Sequence, residues 1–141
     1  MSPGRAVLLA RILCATAALA QNPSYRSNPN WRPPTAAIAR QNPLASKPEA
    51  AAGGRKLFLR HCVECHGGDG AGLEKKHSAD FQLAAVQDQS DGALFWRITN
   101  GNATKGMPSF SSVPELQRWQ IVLFLRTLKP AQPPTDSATS K

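Results

Sequence analysis

The chain has 141 residues, 17 Lys and Arg against 9 Asp and Glu, and a formal charge of +8. This length allows one small domain, and the basic excess points to nucleic acid, an anionic membrane or an acidic protein partner. There is no nucleic-acid motif, and beyond the first twenty residues no stretch is apolar enough to span a bilayer, so an acidic protein partner and no integral membrane segment are expected.

Residues 1–20 have the layout of a secretory signal. Arg5 gives a basic start, Ala6 to Ala20 is apolar apart from Arg11, and Ala18-Leu19-Ala20 is a small-x-small cleavage pattern. The apolar run is shorter than the roughly 20 residues a spanning helix needs. Leu13 before Cys14 is too large for a lipid-attachment site, so no lipid anchor is expected there. Loss of Arg5 and Arg11 with the leader takes the charge from +8 to +6. Residues 21–45 read as an extended linker, with Asn22-Pro23, Asn28-Pro29, Asn42-Pro43 and Pro33-Pro34 disfavouring helix. Residues 46–128 form the domain, and 129–141, rich in Pro, Ser and Thr, form a flexible tail. A domain this small often leans on a metal, a cofactor or disulfides.

Within the domain, Ser46 with Glu49 reads as a capping box, and the pattern predicts a helix from about Lys47 to Cys62 or a little beyond. Gly54, Phe58 and Cys62 share one face of it. Gly53-Gly54 costs about 1 kcal/mol per glycine inside a helix, which implies that another element packs against the backbone. Gly67 to Gly72 is a loop. Its G-x-x-x-x-G spacing resembles a phosphate loop, but Leu73 stands where the lysine belongs, so a flexible loop is the better reading. A second helix is predicted over Gly92 to Thr99, capped by Ser90 or Asp91 and stopped at Asn100-Gly101. Ser112 with Glu115 repeats the capping box, and a third helix runs to about Leu128, ahead of Pro130. It carries one apolar stripe of Ile121, Phe124, Leu125 and Leu128 and another of Leu116, Trp119 and Leu123, so it is held between two partners. Trp96 is read as core packing. No strand pattern is present, and the predicted class is all-α.

The chemistry is concentrated in Cys62-x-x-Cys65-His66. A structural zinc site needs four ligands; the pair supplies two, and His66, His61 and His77 are candidates for the rest, but there is no second Cys pair. A thioredoxin-like site wants the pair beside a βαβ unit. A disulfide three residues apart is tight and leaves His66 without a role. Covalent c-type haem uses all three residues: two thiols on one helical face, each adding to a vinyl group, and a histidine directed at the iron. Such attachment takes place outside the bacterial cytoplasm, in agreement with the leader. Once Met1 is lost, Met107 is the remaining methionine and, between Gly106 and Pro108, the candidate sixth ligand; exposed His77 is its competitor.

From about Glu49 to Leu128 the chain resembles the small single-haem class I c-type cytochromes. The resemblance rests on Gly54-x-x-x-Phe58, Cys62-x-x-Cys65-His66-Gly67, Ile98-x-x-Gly101, Met107-Pro108 and Ile121 to Leu128. It implies three or more helices around one covalent haem c, with the first and last helices crossing near-perpendicularly where Gly54 meets Ile121 or Phe124. It also implies axial ligation by His66 and Met107, with Phe58, Leu94, Ile98, Phe110 and Leu123 packing on the haem. The implied function is a periplasmic one-electron carrier rather than an enzyme. Its expected partner is an acidic redox protein, such as a dehydrogenase or a terminal oxidase of a respiratory chain. The alternatives are a haem-based peroxidase or small-gas binder if Met107 is labile, and a zinc-stabilised binding module. In two places the chain departs from the family. Phe124 stands where tyrosine is frequent. No proline lies between Gly67 and Phe81, so the ring N–H of His66 is expected on a backbone carbonyl near Leu73 to Ala79.

Overall fold

The computed structural model describes residues 28–130. The expected leader at 1–20 with Cys14, the first part of the expected linker and the expected tail beyond 130 lie outside the described residues. Among those described there are six α-helices and no strand. They are α1 (Thr35–Ile38), α2 (Ala51–His61), α3 (Val63–His66), α4 (Ala84–Gln87), α5 (Asp91–Asn100) and α6 (Glu115–Thr127). The all-α expectation is met. None of these helices is long and apolar enough to cross a membrane.

The centre of the fold is the contact between α2 and α6. At Gly54 an added Cβ would lie 1.9 Å from the Gln120 carbonyl oxygen and 3.0 Å from Phe124 Cβ. Only glycine lets the two backbones come this close. Phe124 is therefore at the contact, but the Gln120 carbonyl takes the place expected of Ile121. Around it Phe58, Trp119, Ile121, Val122 and Leu125 are buried, and the Phe58 and Phe124 rings are 5.1 Å apart. Leu116, assigned to the second stripe of α6, is 59% exposed.

The helix ends show where local rules hold. Ser90 caps α5 by accepting the Ala93 N–H at 3.1 Å, and the helix stops at Gly101. Neither Ser46 nor Ser112 caps its helix. The chain enters the α2 region through a single 3₁₀ turn, Pro48–Ala50, with Lys47 at the boundary. Ser46 is thus one residue too early to reach the first amides. For α6 the boundary is Pro114, two residues beyond Ser112, and Glu115 turns instead to Arg40.

Residues 28–45 are not an extended linker. They carry α1 and lie against α5 and the start of α6. The Ile38 carbonyl accepts the Ser90 hydroxyl at 2.7 Å, and Asn42 Nδ2 donates to the Trp119 carbonyl at 3.2 Å. Asparagine and proline set the turns, but Ala37, Asn42 and Leu44 have partners to bury against.

Arg126 ties the far end of α6 to the start of α5. Its guanidinium meets Asp91 at 2.8 Å and donates to the Gln87 carbonyl at 2.7 Å.

Candidate cofactor site

The helix that begins at Ala51 breaks at Cys62, whose φ of −122° leaves the helical range, and resumes as one turn, α3. The amides of Cys65 and His66 both return to the Cys62 carbonyl, at 3.1 and 2.9 Å. This places both thiols and the imidazole on a single turn. Both thiols are free and half-buried, and Cys62 packs against the core cluster. Burial, and then the neighbouring Cys65, push the Cys62 thiol up to about 12. At neutral pH it is a protonated thiol, a poor centre for thioredoxin-type exchange, which needs a thiolate.

His66 Nδ1 is 3.1 Å from the Ala79 carbonyl oxygen. A carbonyl only accepts, so Nδ1 carries the proton. Burial lowers the His66 pKa against a smaller opposing effect of that hydrogen bond. The ring is therefore neutral at pH 7, with its lone pair on Nε2, the form in which imidazole binds a metal. The expected carbonyl between Leu73 and Ala79 is thus that of Ala79.

The segment that carries Ala79 is bonded to the motif at several points. Gly72 N–H donates to the His66 carbonyl at 2.9 Å, and Phe81 N–H to the Gly70 carbonyl at 2.8 Å. Ser78 Oγ accepts the Leu73 N–H at 2.8 Å and donates to the Cys65 carbonyl. The Phe81 ring stacks on His66 at 4.4 Å and meets Phe58 edge-on at 6.1 Å. The loop expected to be flexible is closed on itself. Ser78 and Phe81 are site residues that sequence reasoning missed. The one available signal was Phe81, the first aromatic after a glycine-rich loop.

Met107 is half-buried at the end of a tight turn. It exchanges both backbone hydrogen bonds with Asn102, at 2.8 and 3.0 Å, across the 3₁₀ turn Ala103–Lys105. Phe110 N–H donates to the Ile98 carbonyl at 3.2 Å, and the Phe110 ring is 6.0 Å from that of His61. The first contact ties the segment to α5, and the second brings Phe110 to His61, the last residue of α2. Phe58, Leu94 and Ile98 belong to one buried cluster, with Phe110 packed against it; Leu123 is half-buried outside that cluster. His77 is exposed, with a left-handed φ of 50°. Arg55, Lys56, Arg60, Lys75 and Lys76 are all exposed around the motif.

The donor set fits a c-type haem: two thiols and a neutral imidazole on one turn, beside an aromatic and aliphatic cluster. For zinc, no group of three or more His, Cys, Asp or Glu side chains among the described residues is placed to hold an ion. The profile of the family described as cytochrome C oxidase, cbb3-type, subunit III matches residues 49–125, more than half of the chain. Neither a curated protein nor a solved structure matches it.

Proposed function

The chain belongs to the cytochrome c oxidase, cbb3-type, subunit III family of c-type cytochromes, and from this we propose that it is an exported, periplasmic one-electron carrier with one covalent haem. Cys62 and Cys65 would hold the group through two thioethers, with His66 Nε2 and Met107 Sδ as the axial ligands. When bound, the haem supplies a ferrous/ferric couple, and a His/Met pair gives that couple a high potential. The observation that carries the reading is the His66 Nδ1 bond to Ala79, beside two free thiols on the same turn. It fixes the ring, keeps the lone pair on Nε2 and raises its basicity as a ligand.

The other residues exclude water and guide a partner. Phe58, Leu94, Ile98 and Phe110 supply an apolar wall, and a low dielectric disfavours the extra charge of a ferric site. With His66 and Met107 both holding the iron, no place would remain for a substrate, and the role would be electron transfer rather than catalysis. The exposed Arg55, Lys56, Arg60, Lys75 and Lys76 would steer an acidic redox partner, giving fast, salt-sensitive association. The family description makes an oxidase the first partner to try. Export rests on the leader pattern at 1–20.

The test is a visible spectrum, oxidised and reduced, of protein matured with the haem-attachment machinery. A low-spin spectrum is expected, with haem that resists acid-acetone extraction and a far-red sulfur–iron band when oxidised. Met107→Ala should abolish that band. A low-spin spectrum without the band in the parent protein would replace Met107 by His77. A high-spin spectrum would favour peroxide or gas chemistry, and a colourless protein would end the haem reading.

A further inference from the structure

We infer that residues 28–45, which precede the family match, form a strap that holds the Met107 turn in place, with Trp31 as the positioning residue. The inference rests on the His/Met reading above and adds a residue to it. The Trp31 indole N–H donates to the Gly101 carbonyl at 2.8 Å. Gly101, at a φ of +64°, is where the end of α5 meets the Met107 loop, and a Cβ there would lie 2.4 Å from the Pro108 carbonyl carbon. Trp31 therefore grips the residue against which the Pro108-Ser109 backbone, next to Met107, rests.

The grip is itself anchored. The Trp31 carbonyl accepts from Arg97 Nη1 at 2.8 Å, and the Arg97 guanidinium lies 4.4 Å from the centre of the Trp31 ring. Gly101 N–H returns to the Arg97 carbonyl at 2.9 Å, closing a circuit of Trp31, Arg97 and Gly101. Further along the strap, the Ala37 carbonyl sits so close to Gly92 that a Cβ there would be 2.0 Å away. Asn42 binds the Trp119 carbonyl at 3.2 Å. One end of the strap thus reaches Gly101 beside the Met107 turn, and at the other end Asn42 binds α6.

The two ends supply the test. Haem-loaded protein is compared with Trp31→Phe, which keeps a ring and loses the N–H, and with Asn42→Ala at the far end. The readouts are the affinity of the ferric protein for imidazole, which displaces Met107, and hydrogen exchange at the Asn102 and Met107 amides. Trp31→Phe should raise imidazole affinity about fivefold, the effect of losing one neutral hydrogen bond, and should speed exchange at both amides. Asn42→Ala should lower stability and leave imidazole affinity unchanged. Equal changes in both variants would reduce Trp31 to a general stabiliser and overturn the inference, as would no change in Trp31→Phe. If Met107→Ala leaves the far-red band intact, the His/Met reading fails, and the ligand role of the strap fails with it. Exchange at the two amides then still reports whether the strap holds the turn.

Discussion

The segments that carry the two candidate axial ligands are built in opposite ways. The His66 side is locked from within. Between Gly67 and Gln87, bonds from Gly72, Ser78, Ala79, Phe81 and Gln87 close onto the motif, onto one another or onto α6. The Met107 turn closes on itself, with Asn102 paired to Met107 and accepting from Lys105 and Thr104, but its ties to the rest of the fold come from elsewhere. Ser109 Oγ donates to the Thr99 carbonyl at 2.7 Å, Phe110 reaches Ile98, and Trp31 comes from 70 residues earlier in the chain. The histidine is held by its own neighbourhood, whereas the methionine is held by parts that can change independently of it. A mutation on the first side should alter the ligand's basicity, and one on the second its lifetime.

The largest expected effect separates the two loops by one methyl group. Gly72 and Gly106 have nearly the same left-handed φ, +77° and +78°. An alanine at either bears the strain of that conformation, about 1–2 kcal/mol. At Gly106 nothing lies within 4 Å of the new Cβ, so the strain is the whole cost. At Gly72 the Cβ would lie 2.6 Å from the Ser78 carbonyl oxygen and 3.0 Å from that of Ala79. Gly72→Ala should therefore cost about 3 kcal/mol or more, since backbone cannot yield as a side chain does. Denaturant midpoints of the two variants measure the difference; equal losses would show that the His66 loop is softer than its hydrogen bonds imply.

Ser78→Ala is the next step down. It leaves the Leu73 N–H without the Oγ acceptor and releases the Cys65 carbonyl, a loss of about 1–3 kcal/mol. A looser Ala79 carbonyl weakens the His66 Nδ1 bond and makes the imidazole a poorer donor to ferric iron. The reduction potential should rise in a potentiometric titration, while the far-red band persists. Trp31→Phe should do the reverse, weakening retention of Met107 with little change in the His66 environment. A potential unmoved by Ser78→Ala would remove that serine from the ligand's control.

This contrast also marks what the sequence made legible. The motif, α5 with its Ser90 cap, and the end of α6 before Pro130 are written in short-range patterns, so spacing alone finds them. Gly54 is readable for another reason: a glycine inside a helix implies a close neighbour, although not that the neighbour is the Gln120 carbonyl. The capping boxes at Ser46 and Ser112 are readable but misleading. The incoming chain moves each helix start by one or two residues, out of reach of the hydroxyl. Ala79 accepts through its backbone carbonyl, so the sequence narrowed the His66 partner to residues 73–79 but no side-chain pattern could single it out. The strap was hidden because its Pro and Asn residues describe turns, while its partners Gly101, Arg97 and Trp119 lie 66 to 77 residues away. A tryptophan in a polar, proline-rich stretch was the one cue that something would bury it.

The smallest effect distinguishes the two ends of the strap by charge. Near its C-terminal end, Arg40 meets Glu115 at 2.5 Å, with side chains 45% and 56% exposed. The Arg40 hydrogen bond, with a lesser contribution from Trp119 Nε1, holds the Glu115 carboxyl below its ordinary range. The folded value is thus lower than the unfolded one. The pair's contribution is present in full above the ordinary value of 4.5 and is lost as the pH falls through the lower folded value. Both groups are open to water, so added salt should weaken the pair as acid does. Glu115→Gln should therefore be slightly less stable than the parent at neutral pH, and the gap should close on acidification and at high salt. At the other end, Trp31 and the Gly101 carbonyl are neutral, and the deficit of Trp31→Phe should stay flat over the same range. Stability measured across pH 3 to 7 in both variants gives the answer. A Glu115→Gln gap that ignores pH would mean that Arg40 holds the strap through its contacts with the Phe95 and Trp119 rings, 4.7 and 5.3 Å from its guanidinium, and not through its charge partner.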